Sequence, residues 1–290
     1  MAPSPEILAV VFDFDDTLAP DSTTRLLESY GYDTDTFWKK DVRAMVSQGY
    51  DPTLAWLNLV LADVRAGGAL ASLSNRTLRE FGASLDDTFF PGIPEIFPRL
   101  RESVSKFRDI AIEFYVISSG LREVLLGSEI VRSHITEVYA CEFGENENGV
   151  LRDIKRCVTF TEKTRYLFEI NKGLPLGKTA ENPLLVNTDV PKDLRRISFQ
   201  NMIYVGDGQT DIPCFSLVRE YGGHGFGVFD PKKKDKAKQA LLDFLRPQRV
   251  LGMYEPLYRE TDALGSLIDQ AVATRCSQIE LERDQAYGSR

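Results

Sequence analysis

The sequence predicts an open α/β fold built on a mostly parallel sheet, and three apolar runs that stop abruptly at polar residues predict it. Residues 7–12 end at Asp13, Asp15 and Asp16; residues 112–117 end at Ser118-Ser119-Gly120; residues 202–205 end at Gly206-Asp207-Gly208-Gln209-Thr210-Asp211. A continuous apolar run is the pattern of a strand covered on both faces. In a parallel sheet the C-terminal ends of such strands converge on one crevice, where open α/β folds place their ligands. The first run alone would also suit a polar turn. Three runs ending in acids, hydroxyls and acids describe a site.

Composition narrows the class. The 290 residues suffice for one large domain, or for a main domain with a smaller one. With 43% hydrophobic and 27% charged residues the balance is that of a soluble globular protein. A net charge of −8 disfavours a broad nucleic-acid surface, although a phosphate site needs only a local positive spot. No apolar run approaches the roughly 20 residues needed to cross a bilayer, so no membrane partner is expected. The start MAPSPEILAVVFDFDD lacks the basic region and cleavage pattern of a secretion signal. Cys141, Cys157, Cys214 and Cys276 are scattered without a CxxC pair. They read as reduced thiols of a cytoplasmic protein, not as staples or zinc ligands.

After the first strand, residues 22–30 read as a short helix with Asp21 or Ser22 as N-cap. Residues 31–90 are strand-poor. Phe37, Trp38, Val42, Met45 and Val46 follow helical spacing, as do Leu54, Trp56, Leu57, Val60 and Leu61. This block interrupts the strand–helix alternation and predicts a small inserted helical domain over 21–90, with the α/β core formed by 1–20 and 91–290. Pro91-Gly92 and Pro94 punctuate its end. A helix over 93–107 leads to the second strand, and another begins near Leu121. Residues 138–143 and 150–154, joined by GENENG, predict a hairpin. A helix follows from Thr161. Residues 173–187, rich in Gly, Pro and Asn, read as a loop or small excursion. Pro213 sits near a helix start, where its missing N–H is tolerated. Residues 225–229 predict a fourth central strand, 232–245 a surface helix, and 246–290 mostly helix.

The acids define the chemistry. Asp13 and Asp15, one residue apart, share a face in extended backbone. Asp207 and Asp211 flank glycines that allow close approach of a ligand. Clustered carboxylates repel one another, and a hard cation such as Mg2+, held by one or two of them with water and a phosphate, would neutralise the set. Asp13 could then attack phosphorus, and Asp15 could protonate the leaving alcohol and later activate water. Ser118 offers a hydroxyl and backbone N–H groups, and Lys163 a positive charge, to the phosphoryl oxygens.

These motifs together resemble the haloacid dehalogenase (HAD) superfamily of aspartate-nucleophile phosphatases. The DxDx[TV] signature is DFDDT at Asp13–Thr17; the Ser/Thr after a strand is in FYVISSG, with Ser118 preferred to Ser119; GDGxxD is Gly206–Asp211. The third motif is a single lysine, Lys163 in TFTEKTRYLF, preferred to Lys155 because it begins a helix. The likeness spans residues 7 to 229 in the family's order and is nearest to the phosphoserine-phosphatase-like branch. It implies a Rossmann-like three-layer core with a helical cap inserted after the first strand. It also implies Asp13 as nucleophile and Asp15 as acid/base, with phosphate held by Ser118, Ser119 and Lys163. Mg2+ would be held by Asp13, the Asp15 carbonyl and Asp207, with Asp211 a direct or water-mediated ligand. Asp16 stands where many relatives carry glycine, which implies a turn or a local hydrogen bond.

Two features depart from that branch. Ser22 stands where phosphoserine phosphatases carry a glutamate for the substrate amine, and the stretch from Lys163 to Asp207 is longer. GLPLGKT at 173–179 is a poor P-loop, with three residues between its glycines where four are required. His134 and His224 read as structural or exposed, His224 having some claim to the site, while Trp38 and Trp56 read as the helical block's own core. Lysines 232–238 read as a solvated helix face. The expected function is a Mg2+-dependent phosphatase acting on a small-molecule phosphomonoester through an aspartyl phosphate. The alternatives are a phosphotransferase and a HAD-fold binding or regulatory protein without turnover.

Overall fold

The computed structural model describes residues 6–232, 241–245 and 248–288. Seven strands form one sheet in the order β4-β3-β2-β1-β5-β6-β7. They are β1 (Glu6–Phe12), β2 (Ile110–Leu121), β3 (Glu137–Glu145), β4 (Leu151–Arg156), β5 (Met202–Gly206), β6 (His224–Val228) and β7 (Gly252–Tyr254). All pairings are parallel except the β3–β4 hairpin at one edge. Strand β1 sits between β2 and β5, and every residue from Ile7 to Phe12 is buried. That is why the run carries no alternation.

Two helical layers cover the sheet. Phe12 and Phe114 point to one face, where both meet Phe97 of helix Ile96–Ser105, and helix Ala263–Gly288 packs behind it. Tyr204, paired with Val11 and so on the other face, meets Phe215 of helix Ile212–Glu220, beside helix Phe160–Lys172. The three-layer arrangement expected from the sequence is present.

Between β1 and β2 the regular elements are all helical, with helices Ser22–Ser29, Pro52–Ala66 and Asn75–Ala83 the larger ones of the inserted block. Asp21, not Ser22, caps the first of these, accepting the Thr24 N–H at 2.9 Å. Trp38 donates its indole N–H to Thr24 and packs edge-on to buried Trp56. The block is fastened to the rest of the chain. Arg79 pairs with Glu123, Asp86 accepts the Glu129 N–H at 3.0 Å, and Thr159 donates to Asp51 at 2.8 Å.

Several boundaries differ from the sequence reading. The helix expected over 93–107 is Ile96–Ser105, because a turn through Gly92 and Pro94 precedes it. Strand β2 runs past Ile117 to Leu121, with a register shift between them, so Ser118-Ser119-Gly120 occupies an interruption in the ladder. The 173–187 excursion contains helix Leu176–Glu181 and a 3-10 turn, Pro183–Asn187. Strand β7 was missed: three residues at the sheet edge carry no periodic signal. The expected 232–245 helix and its lysine face fall largely on residues outside those described.

The C-terminal segment braces the first strand's exit. Tyr258, fully buried, donates its hydroxyl to the Thr17 carbonyl at 2.8 Å, and its own N–H bonds the Pro91 carbonyl at 2.7 Å. Thr17 and Pro91 lie on the two connections into and out of the helical block, which also meet directly through Phe90 N–H and the Leu18 carbonyl. Replacing Tyr258 by Phe leaves the Thr17 carbonyl unpaired. The expected loss is about 1–3 kcal/mol, measured by denaturant unfolding; an unchanged midpoint would mean water replaces the tyrosine.

Candidate active site

Register brings the motifs together. Phe12 pairs with both Val116 and Val205, so Asp13, Ser118 and Asp207 all lie just beyond one row across β2, β1 and β5. Helix Phe160–Lys172 then carries Lys163 over the same strand ends.

Lys163 is the centre of the cluster. Its fully buried ammonium lies 2.8 Å from Asp13 Oδ2 and 2.7 Å from Asp211 Oδ1. Asp211 also accepts the Tyr204 hydroxyl at 2.7 Å and the Gly208 N–H at 2.9 Å. Asp13 takes the Phe14 N–H at 2.7 Å on its other oxygen. Burial favours neutral forms, pushing the Asp13 carboxyl up to about 7 although Lys163 opposes it. Burial would likewise lower the lysine, but Asp13 and Asp211 reverse the effect and hold it above its ordinary value.

Asp15 is placed differently. It is partly exposed, and its Oδ1 accepts the Ser22 N–H, at the start of helix Ser22–Ser29, at 2.7 Å. Burial of its carboxyl and the neighbouring Asp21 charge hold it well above the usual carboxylate range. Gly120 makes room for it, since a Cβ there would lie 2.7 Å from Asp15 Oδ2. Gly206 does the same for Asp211, with a Cβ meeting Cγ at 2.6 Å. Asp16 adopts φ 55°, the left-handed region that Asp tolerates better than most residues. The turn reading of that position therefore holds.

Ser118 Oγ accepts the Gly120 N–H at 3.0 Å, leaving its own proton available. Among the described residues, the buried hydroxyls of Ser119 and Thr17 have no hydrogen-bond partner. Orphan polar groups of this kind call for a ligand or water. Carboxylate oxygens of Asp13, Asp207 and Asp211 lie within 4.8 Å of one another. Such an all-oxygen, hard donor set fits Mg2+, and Lys163 lies against Asp13 and Asp211.

The remaining candidates lie elsewhere. Lys155 pairs with Glu142 at 3.0 Å, away from the acids. His224 begins β6, at the opposite end of the sheet, which removes its claim to the site. His134 stacks on Phe97. In the poor P-loop, Thr179 is buried and donates to Glu169 at 2.8 Å. Sequence reasoning missed Tyr204 and the Ser22 N–H. A tyrosine in the otherwise apolar MIYV run was the available signal for the first; the second is backbone and carries none.

No known family profile matches the chain. It is 33% identical over 241 residues to an uncharacterized protein of Borreliella burgdorferi, covering 75% of this chain and 80% of that one. It is 25% identical over 156 residues to a phosphoserine phosphatase of Rattus norvegicus, covering 52% of this chain and 59% of that protein. Among solved structures, a HAD family hydrolase of Salmonella enterica serovar Typhi superposes with TM-score 0.50 at 16% identity, over 84% of this chain and 73% of that one. A probable phosphoserine phosphatase of Vibrio cholerae gives 0.51 at 13%, over 95% and 68%. The chain shares the α/β fold of these HAD family structures. The HAD fold thus coincides with the four motifs gathered on one sheet edge. Among the described residues no helix is long and apolar enough to cross a membrane.

Lys163→Met should leave the Asp13–Asp211 pair buried without its cation. The expected destabilisation is about 3–5 kcal/mol, read from denaturant unfolding at pH 8 with chelator present. A loss below about 1 kcal/mol would show that the two carboxyls neutralise themselves.

Proposed function

We propose that this protein is a phosphatase that hydrolyses a small-molecule phosphomonoester with Mg2+ as cofactor. The observation that carries the reading is the pair Asp13 and Asp15 at the end of one strand, in environments that suit opposite tasks. Asp13 faces Lys163 and the acids of the β5 loop, and is placed to attack phosphorus as a carboxylate. Asp15, whose carboxyl is shifted towards its protonated form by burial and the Asp21 charge, would protonate the leaving alcohol, and as a carboxylate thereafter take a proton from water attacking the aspartyl phosphate. Asp13, Asp207 and the Asp15 carbonyl would hold the cation, whose chemistry is to offset charge on phosphate and carboxylates.

Asp211 supports them indirectly in this reading. Its oxygens already receive Lys163, Tyr204 and Gly208, so it holds the lysine in place more readily than it ligates metal. Ser118, Ser119 and Gly120, at the interrupted end of β2, would receive phosphoryl oxygens. The helical block over 21–90 serves as a cap that excludes water and selects the alcohol. The similarity to phosphoserine phosphatases supports the reaction class. The substrate amine is another matter, because Ser22, with a short hydroxyl, stands where a carboxylate would be needed.

Purified protein with Mg2+ should release phosphate from a generic aryl phosphate, and chelation or Asp13→Asn should reduce release at least 10³-fold. Turnover surviving Asp13→Asn would refute the covalent route. Inactivity on a broad panel of phosphate esters would favour a binding protein.

The metal should also report on Asp13. Its carboxyl titrates at about 7 in the metal-free protein and must lose its proton to bind. Mg2+ affinity, followed by calorimetry, should therefore rise about tenfold per pH unit below pH 7 and level off above it. Affinity independent of pH between 5.5 and 7 would remove Asp13 from the ligand set.

A further inference from the structure

Cys141 and Cys157 are separated in sequence but opposed in space. The β3–β4 ladder ends at the pair Glu142 and Arg156, the next residue on each side is Cys141 and Cys157, and their thiols are hydrogen-bonded to one another. Residues opposed in an antiparallel ladder have Cα atoms about 4.5–5.5 Å apart, within the window a disulfide spans. The Cys141 sulfur is fully buried and accepts the N–H of Val158, the residue after Cys157, at 3.2 Å. Its thiol proton has three acceptors within reach, the Ser119 carbonyl at 3.3 Å, the Val158 carbonyl at 3.9 Å and the Cys157 sulfur. Cys157 is half-buried and so open to a small oxidant.

The two thiols are unlike. The hydrogen bond from Cys141 holds Cys157 below the usual thiol range, despite the nearby Asp51 and Glu162 charges. Burial pushes Cys141 well above it. Cys214 and Cys276 are buried elsewhere, and burial raises both, Cys276 to about 11. A thiolate-prone, accessible cysteine beside a buried one is the arrangement of an attacking and a resolving thiol.

We propose that Cys157 and Cys141 form an oxidation site, in which a hydroperoxide oxidises Cys157 and Cys141 closes the disulfide. The Cys157 thiolate attacks one oxygen of hydrogen peroxide, the O–O bond breaks, and hydroxide leaves to become water. The Cys141 sulfur then attacks the sulfenic sulfur, the S–O bond breaks, and that oxygen leaves as water with the Cys141 proton. Two thiols and one peroxide yield one disulfide and two waters.

The position links the bond to the strand ends. Closure removes the thiol donor from the Ser119 carbonyl, one residue from Ser118. It also ties β3 to the lead-in of helix Phe160–Lys172, where Thr159 holds Asp51 and Lys163 meets Asp13. The consequence for turnover rests on the phosphatase reading; the bond itself does not.

The test is peroxide treatment of the full-length protein, followed by intact mass and non-reducing peptide mapping. A loss of two hydrogens and a peptide linking Cys141 to Cys157, absent after Cys157→Ser and Cys141→Ser and reversed by dithiothreitol, is the expected result. Stable sulfinic acid on Cys157, linkage involving Cys214 or Cys276, or four alkylatable thiols after treatment would each overturn it. Should the variants fold poorly, wild-type mapping decides alone. If aryl phosphate turnover is established, the linked form should lose roughly tenfold or more in kcat/KM, recovered on reduction.

Discussion

A buried ammonium between two buried carboxylates organises this end of the molecule. Lys163 comes from a helix on one face of the sheet, Asp13 from the central strand, and Asp211 from the loop after the neighbouring strand. Removing the lysine would leave both carboxylates buried without a cation, which is why breaking such a set is far more damaging than its net stabilisation would suggest. The cluster is completed by groups that fix Asp211, namely the Tyr204 hydroxyl and the Gly208 N–H. Gly206 must be small for that carboxylate to fit against the strand. One ion pair thereby sets the spacing between β1, β5 and the helix above them.

The second acid escapes that cluster. Asp15 turns toward the start of helix Ser22–Ser29, near Asp21, and away from Lys163. Two carboxylates in one motif consequently meet different electrostatics, the condition for dividing nucleophile from acid. The left-handed turn at Asp16 makes the divergence possible by redirecting the backbone directly after Asp15. Tyr258 then clamps that exit from the far end of the sequence, so a segment remote from every motif supports the motif's geometry.

The helical block is tied down around its edges and is not a loosely hung lid. Arg79–Glu123, Asp86 to the Glu129 N–H and Asp51–Thr159 connect it to the strand ends and to the hairpin side of the core. The Asp51 contact is the most consequential, because Asp51 caps helix Pro52–Ala66 with one oxygen and holds Thr159, beside the Lys163 helix, with the other. A shift of that helix would be felt at Lys163. The Cys141–Cys157 pair lies along the same connection.

Much of this was legible in the chain. The strands 7–12 and 202–205 were readable because strands covered on both faces must be apolar throughout, and the acids that end them stand out against that background. Order and residue type nominated Asp13, Asp15, Ser118, Lys163 and Asp207, and the strand register with the Lys163 helix brings them to one end of the sheet. Strand β7, the partnership of Tyr204 with Asp211, the Ser22 N–H on Asp15 and the facing of Cys141 with Cys157 were not legible. Each depends on which segments the sheet order and register bring side by side. Sequence periodicity reports what a residue's own element buries; it carries nothing about a contact made by backbone N–H groups or by the element opposite. The acids, the hydroxyls and the lysine that gather at the strand ends were written in the sequence by itself. The tertiary structure decided which carboxylate faces the lysine, and low-dielectric burial then made the two acids different.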